Sequence, residues 1–93
     1  MTVFVFDNAK QGLRGELNRW FLEVKPGVFV SNVNARVRDL LWERISQSQM
    51  ADGGIAVYSD ANEQGFSMRL FGVPRREVVD MEGIQLIRVS DSQ

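Results

Sequence analysis

The chain has 93 residues and a mass of 10.6 kDa, the size of a single domain with one hydrophobic core, so we treat residues 1–93 as one domain. Hydrophobic residues make up 44% and charged residues 25% of it, which excludes a disordered chain. With 11 Lys and Arg against 12 Asp and Glu, the net charge is −1. Bulk charge therefore gives no argument for nucleic-acid binding, and any anion site must be a local cluster of cations.

Two absent residue types narrow the possible chemistry. The sequence contains no Cys and no His, which excludes disulfides, a thiolate nucleophile, a Cys or His zinc site and a Ser-His-Asp triad. The remaining carboxylates and hydroxyls suit Mg²⁺ or Mn²⁺ rather than zinc. The apolar runs are too short to cross a bilayer, and the first residues are strand-like rather than a basic leader. We therefore expect a cytoplasmic protein.

Two elements are predicted at the start of the chain. Residues 2–6 are β-branched or aromatic, as in a strand that is buried on both faces. The turn-forming pair Asp7-Asn8 ends this strand and leaves a carboxylate at its tip. Apolar residues at helical spacing then predict a helix over residues 13–24, with one apolar stripe that packs on a sheet.

A break separates this helix from a short apolar run. Pro26-Gly27 ends the helical pattern, and residues 28–30 are β-branched and aromatic, as in a strand. This run is either a single strand or the second half of a tight hairpin that begins near Leu22. The pattern leaves both alternatives open.

A second helix is predicted from a cap at Ser31 or Asn32 to about Gln49. Its apolar stripe consists of Val33, Val37, Leu40, Leu41 and Ile45. The helical wheel directs Trp42 away from this stripe. We therefore expect the indole to be covered by the C-terminal segment or by a partner, since a fully exposed Trp is costly.

The rest of the chain predicts three strands. Residues 55–58 and 66–71 form two of them, joined by a polar loop, and a turn carrying two adjacent arginines follows over residues 72–76. The last strand spans residues 84–89, and a polar tail that frays begins at Ser90.

This order of elements indicates an α+β fold of the ferredoxin-like, split βαβ type. We expect a mostly antiparallel sheet with two helices on one face and a C-terminal strand extension. The other sheet face would be bare, and Phe66, Met68 and Leu70 or their neighbours would make it too apolar for a stable monomer. We therefore predict a homodimer.

Asp7 is a candidate metal ligand. From the tip of the first strand it could hold a divalent cation, and Asp7 of a second copy could supply another carboxylate. The alternative is an Asx turn, because Asp-Asn is ordinary turn chemistry. Residue type alone favours the turn.

Arginine dominates the cations, with nine of the 11 being Arg, whose planar fork suits phosphate. Lys10 and Arg14 straddle the start of the first helix, where a phosphate could bind or the side chains could simply be solvated. Arg75-Arg76 lie on a turn that holds both side chains at the surface. An exposed pair of arginines is also common without a function.

Two further arginines lie on the second predicted helix. Arg36 and Arg38 flank its apolar stripe on opposite sides, so they cannot serve one spot. Each is either a phosphate contact or part of a local ion pair, for instance Arg36 with Asp39. The local pair is the favoured alternative.

Several short segments, taken in order, resemble one known family. They are an apolar first strand ending in Asp7-Asn8, then Leu13-Arg14-Gly15-Glu16-Leu17, Trp20-Phe21-Leu22-Glu23-Val24, Pro26-Gly27-Val28-Phe29-Val30, the Val33 to Trp42 helix, Gly65-Phe66, Phe71-Gly72 with Arg75-Arg76, and Val79-Asp80 with Gly83. Their order and spacing closely resemble the small CRISPR-associated adaptation protein, the Cas-two family, in its type I-E form. The resemblance covers nearly the whole chain.

The resemblance implies a non-catalytic homodimer that bridges two dimers of the larger CRISPR integrase and holds protospacer duplex DNA by its phosphate backbone. The DNA-binding positions that it carries over are Asn8, Arg14, Arg36, Arg75 and Arg76, and Arg38 also matches a basic position. Gly12 replaces a basic residue of the relatives, so the contact at the first helix would be weaker or would rely on Lys10. The segment that docks on the integrase corresponds to Ile84, Leu86, Ile87 and Val89.

Two alternatives remain beside this architectural role. Asp7 matches a position at which several members of the family carry an acidic residue implicated in metal-dependent cleavage of RNA or DNA. In a dimer, the two Asp7 side chains could share one Mg²⁺ or Mn²⁺ that activates a water. The other alternative is a ligand-sensing module with a pocket at the dimer interface, since the fold alone implies no function. Resemblance to the type I-E form favours the architectural role over the nuclease.

Overall fold

The computed structural model describes residues 1–90, and the remainder of the polar tail predicted from Ser90 onward lies outside the described residues. The elements in chain order are β1 (Thr2–Asp7), α1 (Gln11–Leu17), β2 (Leu22–Lys25), β3 (Val28–Ser31), α2 (Ala35–Gln47), β4 (Gly53–Ser59), β5 (Phe66–Phe71), β6 (Arg76–Met81) and β7 (Ile84–Val89). Five strands form the main sheet, and β6 and β7 form a separate hairpin.

The main sheet has the strand order β2-β3-β1-β4-β5, with every neighbouring pair antiparallel. Two βαβ units are interleaved, because β3 lies between β1 and β2, and β1 lies between β3 and β4. This arrangement confirms the predicted ferredoxin-like α+β fold. Within residues 1–90, neither helix has the length and apolar character needed to cross a membrane.

The first helix is shorter than its apolar pattern predicts. It ends at Leu17, where the backbone N–H groups of Trp20 and Phe21 both donate to the Leu17 carbonyl in a tight turn. The chain then enters a β2–β3 hairpin in which Leu22 pairs with Val30. The predicted helix over residues 18–24 is therefore wrong, and the hairpin alternative is confirmed. The apolar residues at 20–24 fit the spacing of a helix and also that of a strand, because Leu22 and Val24 lie on one side of an extended chain and Glu23 on the other.

The C-terminal strand extension is present, but it is a hairpin rather than a lone strand. β6 was missed by the sequence pattern because its polar residues alternate irregularly with two valines, Val78 and Val79. The connection places Glu82 and Gly83 at φ angles of 55° and 88°, as in a two-residue hairpin turn with both residues left-handed. The Gly83 N–H also donates to Asp80 Oδ1 at 2.8 Å.

The hydrophobic core lies between the sheet and the two helices. It is built mainly from aromatic residues of the sheet and aliphatic residues of the helices, namely Phe4, Phe6, Phe29, Leu13, Leu17, Leu41, Trp42 and Ile45. Asn34 caps the second helix by accepting from the Val37 N–H at 2.9 Å, two residues later than the latest predicted cap.

The predicted orientation of Trp42 is wrong. The indole is 2% exposed, and its ring centroid lies 5.2, 6.0 and 5.3 Å from those of Phe4, Phe6 and Phe71. Leu40, predicted in the buried stripe, is instead 67% exposed. The core of its own chain, rather than a partner or the C-terminal segment, covers the indole.

The opposite face of the sheet, called here the outer face, is apolar as predicted. Directly paired residues share a face, so the strand register gives two apolar rows across the sheet. The rows are Leu22-Val30-Val3-Val57-Met68 and Val28-Val5-Ile55-Leu70. Leu22 is 68% exposed and Val5 36% exposed, so apolar atoms of both rows face solvent.

Candidate nucleic-acid interface

Three loops meet at one end of the main sheet. Because neighbouring strands are antiparallel, the end of β1, the start of β4 and the end of β5 coincide, with Asp7 paired to Gly53 and Gly54 paired to Phe71. The strand order thus joins segments that are distant in sequence. We call their meeting point the three-loop junction, defined by Asp7, Asn8, Asp52, Gly53 and Gly72.

Hydrogen bonds hold the loop after β1 against the loop before β4. The Asp52 N–H donates to the Asp7 carbonyl at 2.9 Å, and the Lys10 N–H donates to the Met50 carbonyl at 2.8 Å. Asn8 Nδ2 donates to Asp52 Oδ2 at 2.6 Å. Asn8 adopts a φ of 53°, a conformation that Asn tolerates better than most residues. β1 therefore ends at Asp7 and the chain bends at Asn8, as this pair of residues predicts, and the Asp7 side chain is exposed.

The linker from β5 to β6 passes directly over the same junction. A Cβ placed on Gly72 would lie 2.3 Å from the Asp52 carbonyl oxygen, and one on Gly53 would lie 2.5 Å from the Gly72 carbonyl oxygen. The two backbones therefore touch where only glycine fits. The linker carries Arg75 and Arg76, both exposed, away from this contact.

Both ends of this linker are held. Beyond the contact at Gly72, the Ser90 N–H donates to the Arg75 carbonyl at 2.8 Å, and Arg75 has a φ of 62°. Arg76 begins β6 and lines a groove of about 420 Å³ between β5 and β6. The arginine pair thus lies where the linker, held at Gly72, enters the paired strands of the β6–β7 hairpin.

Arg14 is embedded in the molecule at the same end. Its Nε lies 3.0 and 3.2 Å from the two carboxylate oxygens of Glu23, and its Nη1 donates to the Ala9 carbonyl at 2.8 Å. Glu23 Oε2 also accepts from the Gly27 N–H at 2.9 Å. This ion pair joins the loop after β1 to the β2–β3 turn, and it leaves the Arg14 side chain 26% exposed.

Lys10 lies beside this group, one residue before α1, and is exposed. Lys25, a cation that the sequence reasoning did not select, is also exposed, at the end of β2 next to the β2–β3 turn. That turn contacts β1, since the Phe6 N–H donates to the Gly27 carbonyl at 2.8 Å. The end of the sheet therefore carries cations from three separate loops.

Arg36 and Arg38 lie at the other end of the sheet. The Arg38 guanidinium carbon is 3.7 Å from the centroid of the Tyr58 ring, and Tyr58 pairs with Thr2 at the start of β1. Arg38 Nε also lies 2.9 Å from Asp39 Oδ1. The expected Arg36–Asp39 pair is replaced by this one, and Arg36 is exposed.

An acidic loop lies close to Arg38. The pKa of Asp60 is lowered first by a hydrogen bond from Ser67 Oγ, then by the Ala61 N–H, and to a smaller extent by the charge of Arg38. The aromatic ring and the nearby carboxylates hold the Arg38 guanidinium, whose side chain is 15% exposed. Of the two α2 arginines, Arg36 therefore has the more accessible side chain.

The β6–β7 hairpin is fastened to the body through one residue. Gln85 exchanges two hydrogen bonds with Gln64, at 2.9 and 2.7 Å, and its Oε1 accepts from the Met68 N–H at 2.6 Å on the edge of β5. The four predicted docking residues remain exposed: Ile84 at 41%, Leu86 at 48%, Ile87 at 38% and Val89 at 54%.

The described residues of one protomer do not form a cluster of acidic side chains that would hold a divalent metal. Among residues 1–90, no three acidic side chains lie close enough together to hold one. Asp52, the nearest sequence-distant carboxylate to the Asp7 turn, is engaged by the Asn8 amide. Asp7 by itself leaves most positions of an octahedral Mg²⁺ or Mn²⁺ site without a protein ligand.

Fold and site together describe a small ferredoxin-like protein with cationic loops at one end of its sheet and an apolar outer face. A family model described as CRISPR-associated protein (Cas_Cas2CT1978) matches residues 1–86. Since this match covers most of the chain, the protein belongs to that CRISPR-associated family.

Proposed function

We propose that this protein is the non-catalytic structural and DNA-binding subunit of a cytoplasmic CRISPR spacer-acquisition complex of the type I-E form. A homodimer would bridge two dimers of the larger integrase and hold protospacer duplex DNA. Membership of a CRISPR-associated family supports the setting. The observation that carries the DNA-binding role is the exposed Arg75–Arg76 pair on a linker fixed at the three-loop junction.

The chemistry of this end suits phosphate rather than bases. The exposed charged residues there are the cations Arg75, Arg76, Lys10 and Lys25, which outnumber the carboxylates Asp7 and Asp52. Guanidinium and ammonium donors bind phosphate oxygens without reading sequence. Because the net charge is −1, the affinity must come from this local cluster and from the integrase partner.

The arginines differ in whether they form an ion pair within the protein. Within residues 1–90, the ion pairs of arginine involve Arg14, Arg38, Arg44, Arg69 and Arg88. Arg75 and Arg76 are outside that set and are exposed. Removing their charge is therefore expected to affect DNA binding more than folding.

Two apolar surfaces support the proposed partners. The outer face offers two apolar rows that a second copy would cover, which supports the homodimer. The exposed aliphatic residues of β7 support docking of the larger integrase subunit on the C-terminal hairpin. The two surfaces are on different sheets, so one protomer could use both at once.

The alternative of a Mg²⁺- or Mn²⁺-dependent endonuclease at Asp7 receives little support from residues 1–90 of one protomer, which place beside Asp7 the carboxylate of Asp52, already engaged by the Asn8 amide. Such a site would need Asp7 of a second copy. The architectural role needs no such site, and we place it first.

Duplex binding tests this proposal. In the complex with the integrase, Arg75→Ala and Arg76→Ala, alone and combined, should weaken binding of any DNA sequence. The plot of log affinity against log salt has a negative slope, and each lost phosphate contact should reduce the magnitude of that slope by about 0.9. Fluorescence anisotropy across a salt series measures both quantities.

Arg19→Ala is the matched control, because it removes one exposed positive charge next to Trp20, whose carbonyl accepts from Ser31 Oγ at the far end of the sheet. It should leave the slope unchanged. An unchanged slope in the double variant would contradict the proposal.

A further inference from the structure

The contact between Gly53 and Gly72 joins two parts of the proposed DNA surface. Gly53 begins β4 immediately after Asp52, whose side chain accepts from Asn8 and whose N–H donates to Asp7. Gly72 begins the linker that carries Arg75 and Arg76. The Asp52-Gly53 segment therefore lies between the β1 loop and the arginine linker and touches both.

The closeness of this contact goes beyond ordinary packing. A Cβ on Gly72 would lie 2.3 Å from the Asp52 carbonyl oxygen and 2.9 Å from Gly53 Cα. A Cβ on Gly53 would meet the backbone of Gly72 at 2.5 and 2.9 Å. Every one of these neighbours is backbone, which cannot rotate aside as a side chain can. Any larger residue at either position must move the linker.

We propose that the Gly53–Gly72 contact positions the Arg75–Arg76 pair relative to the Asn8 turn, so that both engage the phosphates of one duplex. This inference rests on the proposed DNA-binding function. Gly53 and Gly72 are positioning residues, since neither carries a group that binds phosphate. They act through the two arginines, only three and four residues beyond Gly72.

The rest of the linker supports this role. Pro74 restricts the backbone between the contact and the arginines, and the Ser90 N–H holds the Arg75 carbonyl at 2.8 Å. Because Arg76 pairs with Val89, this bond extends the β6–β7 ladder to Arg75, and Val73 and Pro74 alone separate the Gly72 contact from the paired hairpin. A displacement at Gly72 is therefore transmitted to both guanidinium groups rather than absorbed by the linker.

The test compares glycine substitutions that differ only in their surroundings. Gly72→Ala places a Cβ at a φ of 61° against backbone, whereas Gly65→Ala and Gly83→Ala place one at 86° and 88° with no atom within 4 Å. All three incur the cost of a left-handed Ala. Gly53→Ala adds the same clash without a left-handed φ, and Gly15→Ala, which meets no atom within 4 Å, is its control.

Duplex binding in the integrase complex is measured across a salt series for each variant, with thermal unfolding of the isolated protein alongside. Gly72→Ala and Gly53→Ala should lower the salt slope by about as much as Arg75→Ala/Arg76→Ala, roughly two phosphate contacts. Gly65→Ala, Gly83→Ala and Gly15→Ala should keep the wild-type slope. Wild-type slopes in Gly72→Ala and Gly53→Ala would overturn the inference, whatever their unfolding temperatures.

One further variant covers the case in which both clashing substitutions unfold the protein. A single glycine inserted between Val73 and Pro74 leaves the contact intact but changes the spacing of the arginines, and it should also reduce the slope. An unchanged slope there would equally overturn the inference. If instead Arg75→Ala/Arg76→Ala leaves the slope unchanged, the proposed DNA-binding function itself fails.

Discussion

Trp42 joins the helical layer of this molecule to its sheet. Its indole packs on the rings of Phe4, Phe6 and Phe71, which come from two strands. Arg38, one turn earlier on α2, lies over the ring of Tyr58. An aromatic ring can accept a guanidinium group in this way, so the buried side of α2 includes an arginine.

The apolar pattern predicts the orientation of this helix only in part, because Leu41 and Ile45 of the predicted stripe are buried whereas Leu40 is exposed and Trp42 is buried. Leu40 and Trp42 lie on different sides of the helix, and the pattern does not decide which side faces the sheet. Arg38 lies on the side of the helix that faces the sheet. A helical wheel that treats arginine as polar therefore predicts that this side faces solvent. Only the tertiary partners Tyr58 and Phe71 resolve the ambiguity.

Paired substitutions test this orientation. Trp42→Ala should lower the free energy of unfolding by about 3–5 kcal/mol, because it empties a core position. Leu40→Lys should change it by no more than about 0.5 kcal/mol, because that side chain is exposed. Urea unfolding followed by circular dichroism measures both, and a larger loss for Leu40→Lys would contradict the packing described.

The strands differ in how well the apolar pattern of the sequence predicts them. Phe4, Phe29 and Ala56 mark strands that the pattern identified, because buried strands of this sheet are nearly all apolar. The apolar pattern predicts a helix over the start of β2, and it does not predict β6. β2 is at the edge of the main sheet and β6 is in the separate hairpin. Strands in such positions are buried on one side at most, so their apolar pattern is weak and irregular.

The outer face is the surface that we propose a second copy covers. Val5 lies at its centre, paired on one side with Val28 and on the other with Ile55. A monomer would leave this apolar surface in water, so we expect a dimer in which a second copy covers it.

Val5→Lys should convert the dimer to a monomer, because it places a charge in the middle of the apolar rows. Leu40→Lys adds the same charge on the helical side and should leave the dimer intact. Sedimentation equilibrium at several protein concentrations distinguishes these outcomes. A Val5→Lys protein that remains folded and dimeric would show that the outer face is not the dimer interface.

The strand order of the main sheet brings the parts of the three-loop junction together. The sequence identified the Asp7-Asn8 turn and the Arg75-Arg76 pair separately, each as a surface feature. Their connection through Asp52 and Gly53 depends on β4 lying between β1 and β5, which no local pattern encodes. The same strand order separates Arg36 and Arg38 from this end, although sequence resemblance grouped them with it.

We propose that the protein holds DNA and does not cleave it. Spacer acquisition in cells that carry the integrase tests it most directly, comparing wild type with Asp7→Ala, Asp7→Asn and Arg75→Ala/Arg76→Ala. We expect acquisition to persist in both Asp7 variants, whose exposed side chain is not needed for the fold, and to be lost in the double arginine variant. Loss of acquisition in the Asp7 variants, while they still dimerise and bind both integrase and duplex, would contradict the claim and give the carboxylate a catalytic or metal-binding role.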